Sequence, residues 1–189
     1  MERNTFGKLC RKLLIRLIGL DICCFITSAF CITSSGSHII RTLIQICCII
    51  ALISFLYPVC HTQGDIDRPL VSAGHRRHSN LKGLYAGIIA CSPFIISAIV
   101  LLFSKFTGLI PNFVNYYKMI NAVFFPFLYS ILPVDYSLAE LSYHSIFAGV
   151  SVQTVIPILC MFSYLLGFNR FSFAEKVFYK NKEDKEIQA

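Results

Sequence analysis

Charge is scarce in this sequence. Only 14% of its 189 residues are Asp, Glu, Lys or Arg, against roughly 25% in soluble domains. A soluble domain of this size needs a charged shell, and there is too little charge here to build one. The apolar residues, 56% of the chain, gather in runs instead of the stripe of a surface helix. Both features exclude a soluble bundle and point to a multi-pass membrane protein. A cysteine framework is missing as well. The chain has nine cysteines, but Cys23, Cys24, Cys31, Cys47, Cys48, Cys91 and Cys160 fall inside apolar runs, where a thiol behaves as a small hydrophobe. No pair has the C-x-x-C spacing of a zinc or redox site. No basic patch is interleaved with aromatic residues, so the formal charge of +7 does not mark a nucleic-acid reader. In a membrane protein such charge collects at cytoplasmic ends and meets anionic lipid head groups.

A membrane span needs about 20 apolar residues, because about 1.5 Å per residue must cover about 30 Å of hydrocarbon. Residues 13–33, 39–59, 84–104 and 146–168 meet this requirement. The first follows a basic start (Lys8, Arg11, Lys12, Arg16). Asp21 interrupts the centre of a would-be signal peptide, and the apolar run continues past Thr27-Ser28-Ala29. A retained span is therefore expected, with Arg16 snorkelling to the inner surface. A fifth segment, 119–134, is short and carries Pro126 inside "FFPF".

The positive-inside rule decides how the fifth segment is threaded. With four spans and a cytoplasmic N-terminus, the inside holds Arg3, Lys8, Arg11, Lys12 and Arg16, then Arg68, Arg76, Arg77 and Lys82. It also holds Arg170, Lys176, Lys180, Lys182 and Lys185. That leaves only Arg41, Lys105 and Lys118 outside, a division of 14 to 3. A full crossing by 119–134 would make it 9 to 8. The expected fold class is all-α: a polytopic four-span bundle forming a single membrane domain over 1–169, both termini cytoplasmic. Segment 119–134 is then a re-entrant or interfacial helical piece, and backbone freed by Pro126 must find partners within the protein. Tyr116 and Tyr117 fall where aromatic belts lie. Residues 170–189 read as an amphipathic basic tail, with Phe171, Val177 and Phe178 among Arg170, Lys176 and Lys180.

One polar stretch stands out, "GDIDRPLVSAGHRRHSNLKG" at 64–83. With the residues just before it, it offers Cys60, His61, Asp65, Asp67, His75 and His78. The spacing of His75 and His78 could place two imidazoles on one helical face, with Asp67 as a third ligand to a divalent metal. Arg76 and Arg77 would repel that cation, and the spacing matches no standard zinc motif. A basic cytoplasmic connection is the expected reading, with no metal, no cofactor and no catalytic residue. "RPLVSAGH" resembles elements of membrane phosphatidic-acid-type phosphatases. The two elements abut here, however, Ser72-Ala73 replaces Pro-Ser, and no later S-R…H segment follows.

Polar groups inside spans are costly. Asp21 is expected to be neutral or paired with Arg16 or Lys82, Gln45 to bond Gln153, and Arg41 to contact Glu140. Gly83, Gly87 and Ala90 give a small face for close helix approach, and Pro93 and Pro157 should kink their spans.

The polar stretch resembles the cytoplasmic loop of an uncharacterised family of small bacterial multi-pass membrane proteins. Gly64, Asp67, Val71, Gly74, Lys82 and Gly83 fit its G-x-x-D…V-x-x-G…K-G pattern, and "SYLLGFNRFSFAEKVFYKNK" is similar to its ending. His75 stands where the pattern has arginine, and Pro69 where it has asparagine. The departure at His75 argues against a metal role shared with the family. The resemblance extends over much of the chain and implies the same topology in the bacterial cytoplasmic membrane, with no assigned activity. The expected function is non-enzymatic: an accessory or interaction protein. Its partners would be the lipid bilayer, anionic head groups at the cytoplasmic face and another membrane protein, and nucleic acid is not among them. The alternative is a substrate-binding component of a small-molecule transporter, because kinked helices can enclose a midplane pocket.

Overall fold

The computed structural model describes residues 2–33, 38–75, 79–132, 138 and 140–169. Among the described residues every regular element is a helix. The long elements are α1 (Glu2–Thr33) and α2 (His38–Ser72), followed by α3 (Lys82–Ala90) and α4 (Ser92–Thr107). Then come α5 (Phe113–Ile120), a 3-10 turn at Ala122–Phe124 and α6 (Phe125–Ile131). The chain closes with α7 (Tyr143–Ser151), a second 3-10 turn at Val152–Thr154 and α8 (Val155–Phe168).

Leucines at heptad-like spacing join the first two helices. Leu9, Leu13, Leu17 and Leu20 of α1 are buried, as are Cys48, Leu52, Leu56 and Val59 of α2, and the two helices pack together. Their outer faces carry large apolar side chains turned away from the protein. Ile15, Ile18, Ile22, Phe25 and Ile26 are exposed on α1, and Ile39, Leu43, Ile46 and Ile50 on α2. Ile96, Ile99 and Phe103 on α4 continue the band, as do Ile158 and Phe162 on α8. An apolar surface of this extent needs an apolar solvent. These helices suit a membrane.

By length and composition two of the described helices can cross, residues 39–72 and 143–168, and the bent α3–α4 pair adds a third if it counts as one span. This falls short of the four spans expected. The basic first half of α1, together with Asp21, dilutes its apolar run within the residues whose side chains are described. The polar stretch is also not wholly a loop. Residues 64–72 continue α2, whose 35 residues measure about 50 Å at the α-helical rise. Gly74, not Gly64, ends the helix, because Gly74 takes a positive φ of 71°. Its N–H donates to Val71 O at 3.0 Å and that of His75 to Leu70 O at 2.9 Å. This pair of bonds is the Schellman closure, which favours glycine at that position.

The kinks fall close to where the prolines direct. Helices α3 and α4 meet at Cys91 with a 60° bend, and Pro93 lies in the first turn of α4, where its missing N–H costs nothing. The 3-10 turn at Val152–Thr154 precedes Pro157, which cannot supply the next helical N–H. The apolar piece at 122–131 is too short to cross. It packs against α1, α2 and α7, burying Ala122, Val123, Phe124, Phe125 and Leu128. The basic tail at 170–189, His78 and residues 133–137 lie outside the described residues.

Candidate functional site

Two polar clusters fasten this bundle, one near each end. At one end Asp67, 1% exposed, forms an ion pair with Lys82 at the start of α3. The Tyr164 hydroxyl on α8 donates to the same carboxylate oxygen at 3.0 Å. Gln63, one turn earlier on α2, donates to the other oxygen at 2.9 Å. One carboxylate thus ties α2, α3 and α8 together. Glycines make the approach short enough. A Cβ on Gly64 would collide with the Tyr164 carbonyl and the Phe168 amide, and one on Gly167 with the His61 carbonyl. A Cβ on Gly83 would sit 2.6 Å from the Cys160 carbonyl, and one on Gly87 2.7 Å from Pro157 Cα. The small face expected on α3 is therefore used, against α8. Each of Gly64, Asp67, Val71, Gly74, Lys82 and Gly83 has a structural task at this end.

The other cluster surrounds Asn121 and the short piece after it. Gln153 Nε2 lies 2.9 Å from Asn121 Oδ1, 3.1 Å from the Tyr117 hydroxyl and 3.0 Å from Phe94 O. The Tyr117 hydroxyl donates to Gly149 O at 3.0 Å, and Asn121 Nδ2 donates to Ser97 Oγ and Tyr117 O. Asp21 on α1 accepts from Val123 N at 3.3 Å, and Gln45 on α2 accepts from Phe127 N at 3.0 Å. Arg41 lies with its guanidinium 4.5 Å from the centre of the Tyr129 ring on α6.

Several sequence expectations are corrected here. Asp21 engages backbone of the short piece, while Lys82 is on Asp67 and Arg16 donates to Phe55 O at 3.0 Å. Gln45 bonds that piece and Gln153 bonds Asn121, Tyr117 and Phe94, not each other. Tyr116 is exposed, but Tyr117 is fully buried, so only the first suits an aromatic belt. Asp21 and Gln45 share one reason. The piece lacks continuous helical hydrogen bonding, and side chains of the long helices are drawn to it. Sequence reasoning missed Gln63, Tyr117, Asn121 and Tyr164. Asn121, a helix-breaking amide between apolar runs, was the one legible signal.

Of the residues weighed as metal ligands, Asp67 is engaged as described, His75 is exposed beyond the Schellman turn, and His78 lies outside the described residues. The His61 ring lies 5.1 Å from that of Tyr57. Among the described residues no three His, Cys, Asp or Glu side chains converge as a metal would require. The described cysteines are free thiols, buried at 10, 24, 48, 60, 91 and 160 and exposed at 23 and 47.

Two grooves mark the surface. One, about 480 Å³, runs between α3–α4 and α7–α8, walled by Ile88, Ile95, Ile99 and Ile158 with Gln153 and Thr154 at its base. The other, about 420 Å³, lies between α1 and α2 under Lys8, Arg11 and Lys12. No family model, no curated protein and no solved structure matches this chain.

Proposed function

We propose that this chain is a non-enzymatic integral protein of the bacterial cytoplasmic membrane, acting as an accessory to other membrane components. It belongs with the small multi-pass proteins whose loop pattern it resembles. In this reading α1 crosses together with α2, the bent α3–α4 pair and α7–α8, giving four spans with both termini cytoplasmic. The apolar side chains exposed along α1 at 15, 18, 22, 25 and 26 support its crossing. They form a lipid-facing strip opposite the leucines packed on α2. Residues 113–131 then enter from the outer side without crossing.

One observation carries the non-enzymatic reading. The polar side chains Asp21, Gln45 and Gln153 are all engaged within the protein, Asp21 and Gln45 with backbone of the short piece and Gln153 with Asn121, Tyr117 and Phe94. Proton relays and substrate sites need such groups to face a wet cavity. The transporter alternative draws on the groove that reaches Gln153, but the walls of that groove are apolar. Native mass spectrometry of the detergent-purified full chain separates the two. The accessory reading expects no adduct other than phospholipid; a retained polar metabolite or metal ion refutes it.

A further inference from the structure

The geometry points to a binding site for one anionic glycerophospholipid in the groove between α1 and α2. Lys8, Arg11 and Lys12 line it, and their i, i+3, i+4 spacing places three cations on one helical face. All three are exposed, and among the described residues no carboxylate lines the groove. Thr62 on α2 faces them with a hydroxyl, and Gln63 beside it is held by Asp67 Oδ1 at 2.9 Å. Beneath these polar groups lie Leu9 and Val59, 3% and 6% exposed. Ile15 and Ile66 extend the apolar lining.

Polarity therefore changes along the groove as it does along a phospholipid. The cationic end passes directly into Ile15, Ile18 and Ile22, the exposed strip of α1. A phosphate held by the cations would lay an acyl chain on that strip. A free phosphate would gain nothing from the apolar floor, and a zwitterionic head group would bring its own cation against three others. At about 420 Å³ the space falls within the roughly 300–1,000 Å³ of small-molecule sites. This inference deepens the membrane reading and rests on it for the sidedness of the groove.

The test uses the full chain in detergent, with phosphatidylglycerol or phosphatidylcholine added and bound lipid counted by native mass spectrometry. The wild type should retain one phosphatidylglycerol in preference to phosphatidylcholine. A cation near an anionic head group contributes about a five-fold factor, so K8Q/R11Q/K12Q should weaken that binding by at least about ten-fold. K180Q/K182Q/K185Q removes the same charge from the C-terminal region and should leave it unchanged. T62E, which puts a carboxylate into the groove from the exposed face of α2, should weaken it without disturbing the α1 leucine seam. Equal loss in both triple variants, no loss in T62E, or no preference for the anionic lipid would overturn the site. Terminal reporters on opposite sides of the membrane would overturn the proposed topology while leaving the lipid adduct intact, so the two failures are distinguishable.

Discussion

The Asp67–Lys82 pair gives the sharpest test of how its end of the bundle is held. The side chains are 2% and 18% exposed respectively, so the two ends of the pair differ in what their loss leaves behind. Replacing Lys82 by Ala strands a carboxylate that keeps the Tyr164 hydroxyl and the Gln63 amide as donors. Stranding a buried charge costs about 3–5 kcal/mol, and K82A is expected near the lower bound because two donors remain. Replacing Asp67 by Asn leaves a lysine whose stem already reaches solvent. That change costs about 1.5–3 kcal/mol, the worth of charge-assisted hydrogen bonds. The order K82A worse than D67N follows from burial alone. D67L/K82M removes both charges and should recover most of the loss, since apolar replacement of a buried pair is often close to neutral.

The protein carries its own reporter for this measurement. Six described thiols are buried and two, Cys23 and Cys47, are exposed. In a C23S/C47S background, a thiol-reactive fluorogenic probe reads unfolding in detergent as the buried cysteines come into reach. A loss of about 3 kcal/mol is more than a hundred-fold in the unfolding constant, well above the scatter of such titrations. The reasoning fails if K82A lies within about 0.5 kcal/mol of wild type, the range of ordinary surface changes. It fails equally if the double variant costs the sum of the single ones, since groups in contact should couple.

Other outcomes follow from the same contacts. G64A and G167A should each cost about 1–3 kcal/mol, as overpacking does, because their Cβ atoms would meet backbone of the facing helix. G19A, with nothing within 4 Å of its Cβ, should be neutral or stabilising by up to about 1 kcal/mol; the same thiol-probe titration reads all three. At the Gln153–Asn121 cluster Q153L removes a donor shared by three acceptors. At roughly 0.6 kcal/mol per interhelical bond in a membrane, it should cost about 2 kcal/mol, and Y117F, losing its donation to Gly149 O and its acceptance from Gln153, about 1 kcal/mol. Equal effects would refute the ranking. Reporters fused before Met1 and after Ala189 should both read cytoplasmic, and a periplasmic signal from either one refutes the even number of crossings.

Helical class and the approximate position of each apolar run were legible because hydrophobic length is a one-dimensional property. The kinks at Cys91 and before Pro157 were legible for a similar reason: proline acts on its own turn. What escaped was pairing at long sequence separation. Tyr164 lies 97 residues from Asp67, and nothing local marks either as the other's partner. The polar stretch misled because Gly64 and Pro69 are loop signals in isolation. Packing overrides them, since Gly64 is the only residue type that admits the backbone of α8 at that point. Residues 13–33 read as a span in the sequence, but among the described residues length and composition pass only two helices and the bent pair; the exposed strip of α1 becomes visible only once the leucine face has been assigned to α2.

The placement of Asp21 and Gln45 has a physical cause that invokes no substrate. The 3-10 turn at Ala122–Phe124 and helix α6 both begin without a side-chain cap from their own N-terminal neighbours. Each start leaves backbone N–H groups unsatisfied, and Pro126 in the first turn of α6 removes one of them by having none. Away from water, every remaining orphan costs several kcal/mol. Asp21 supplies the acceptor for Val123 N from α1, and Gln45 supplies the one for Phe127 N from α2. These are helix caps delivered from neighbouring helices. A segment too short to cross can stay inside the bundle only where such caps exist. The placement of the Asp21 carboxylate and the Gln45 amide is therefore as much a consequence of residues 122–131 as the buried glycines are of the close packing of α3 on α8. Replacing Gln45 by Leu should accordingly loosen α6 and leave the Asp67–Lys82 end intact, because the two clusters share no residue.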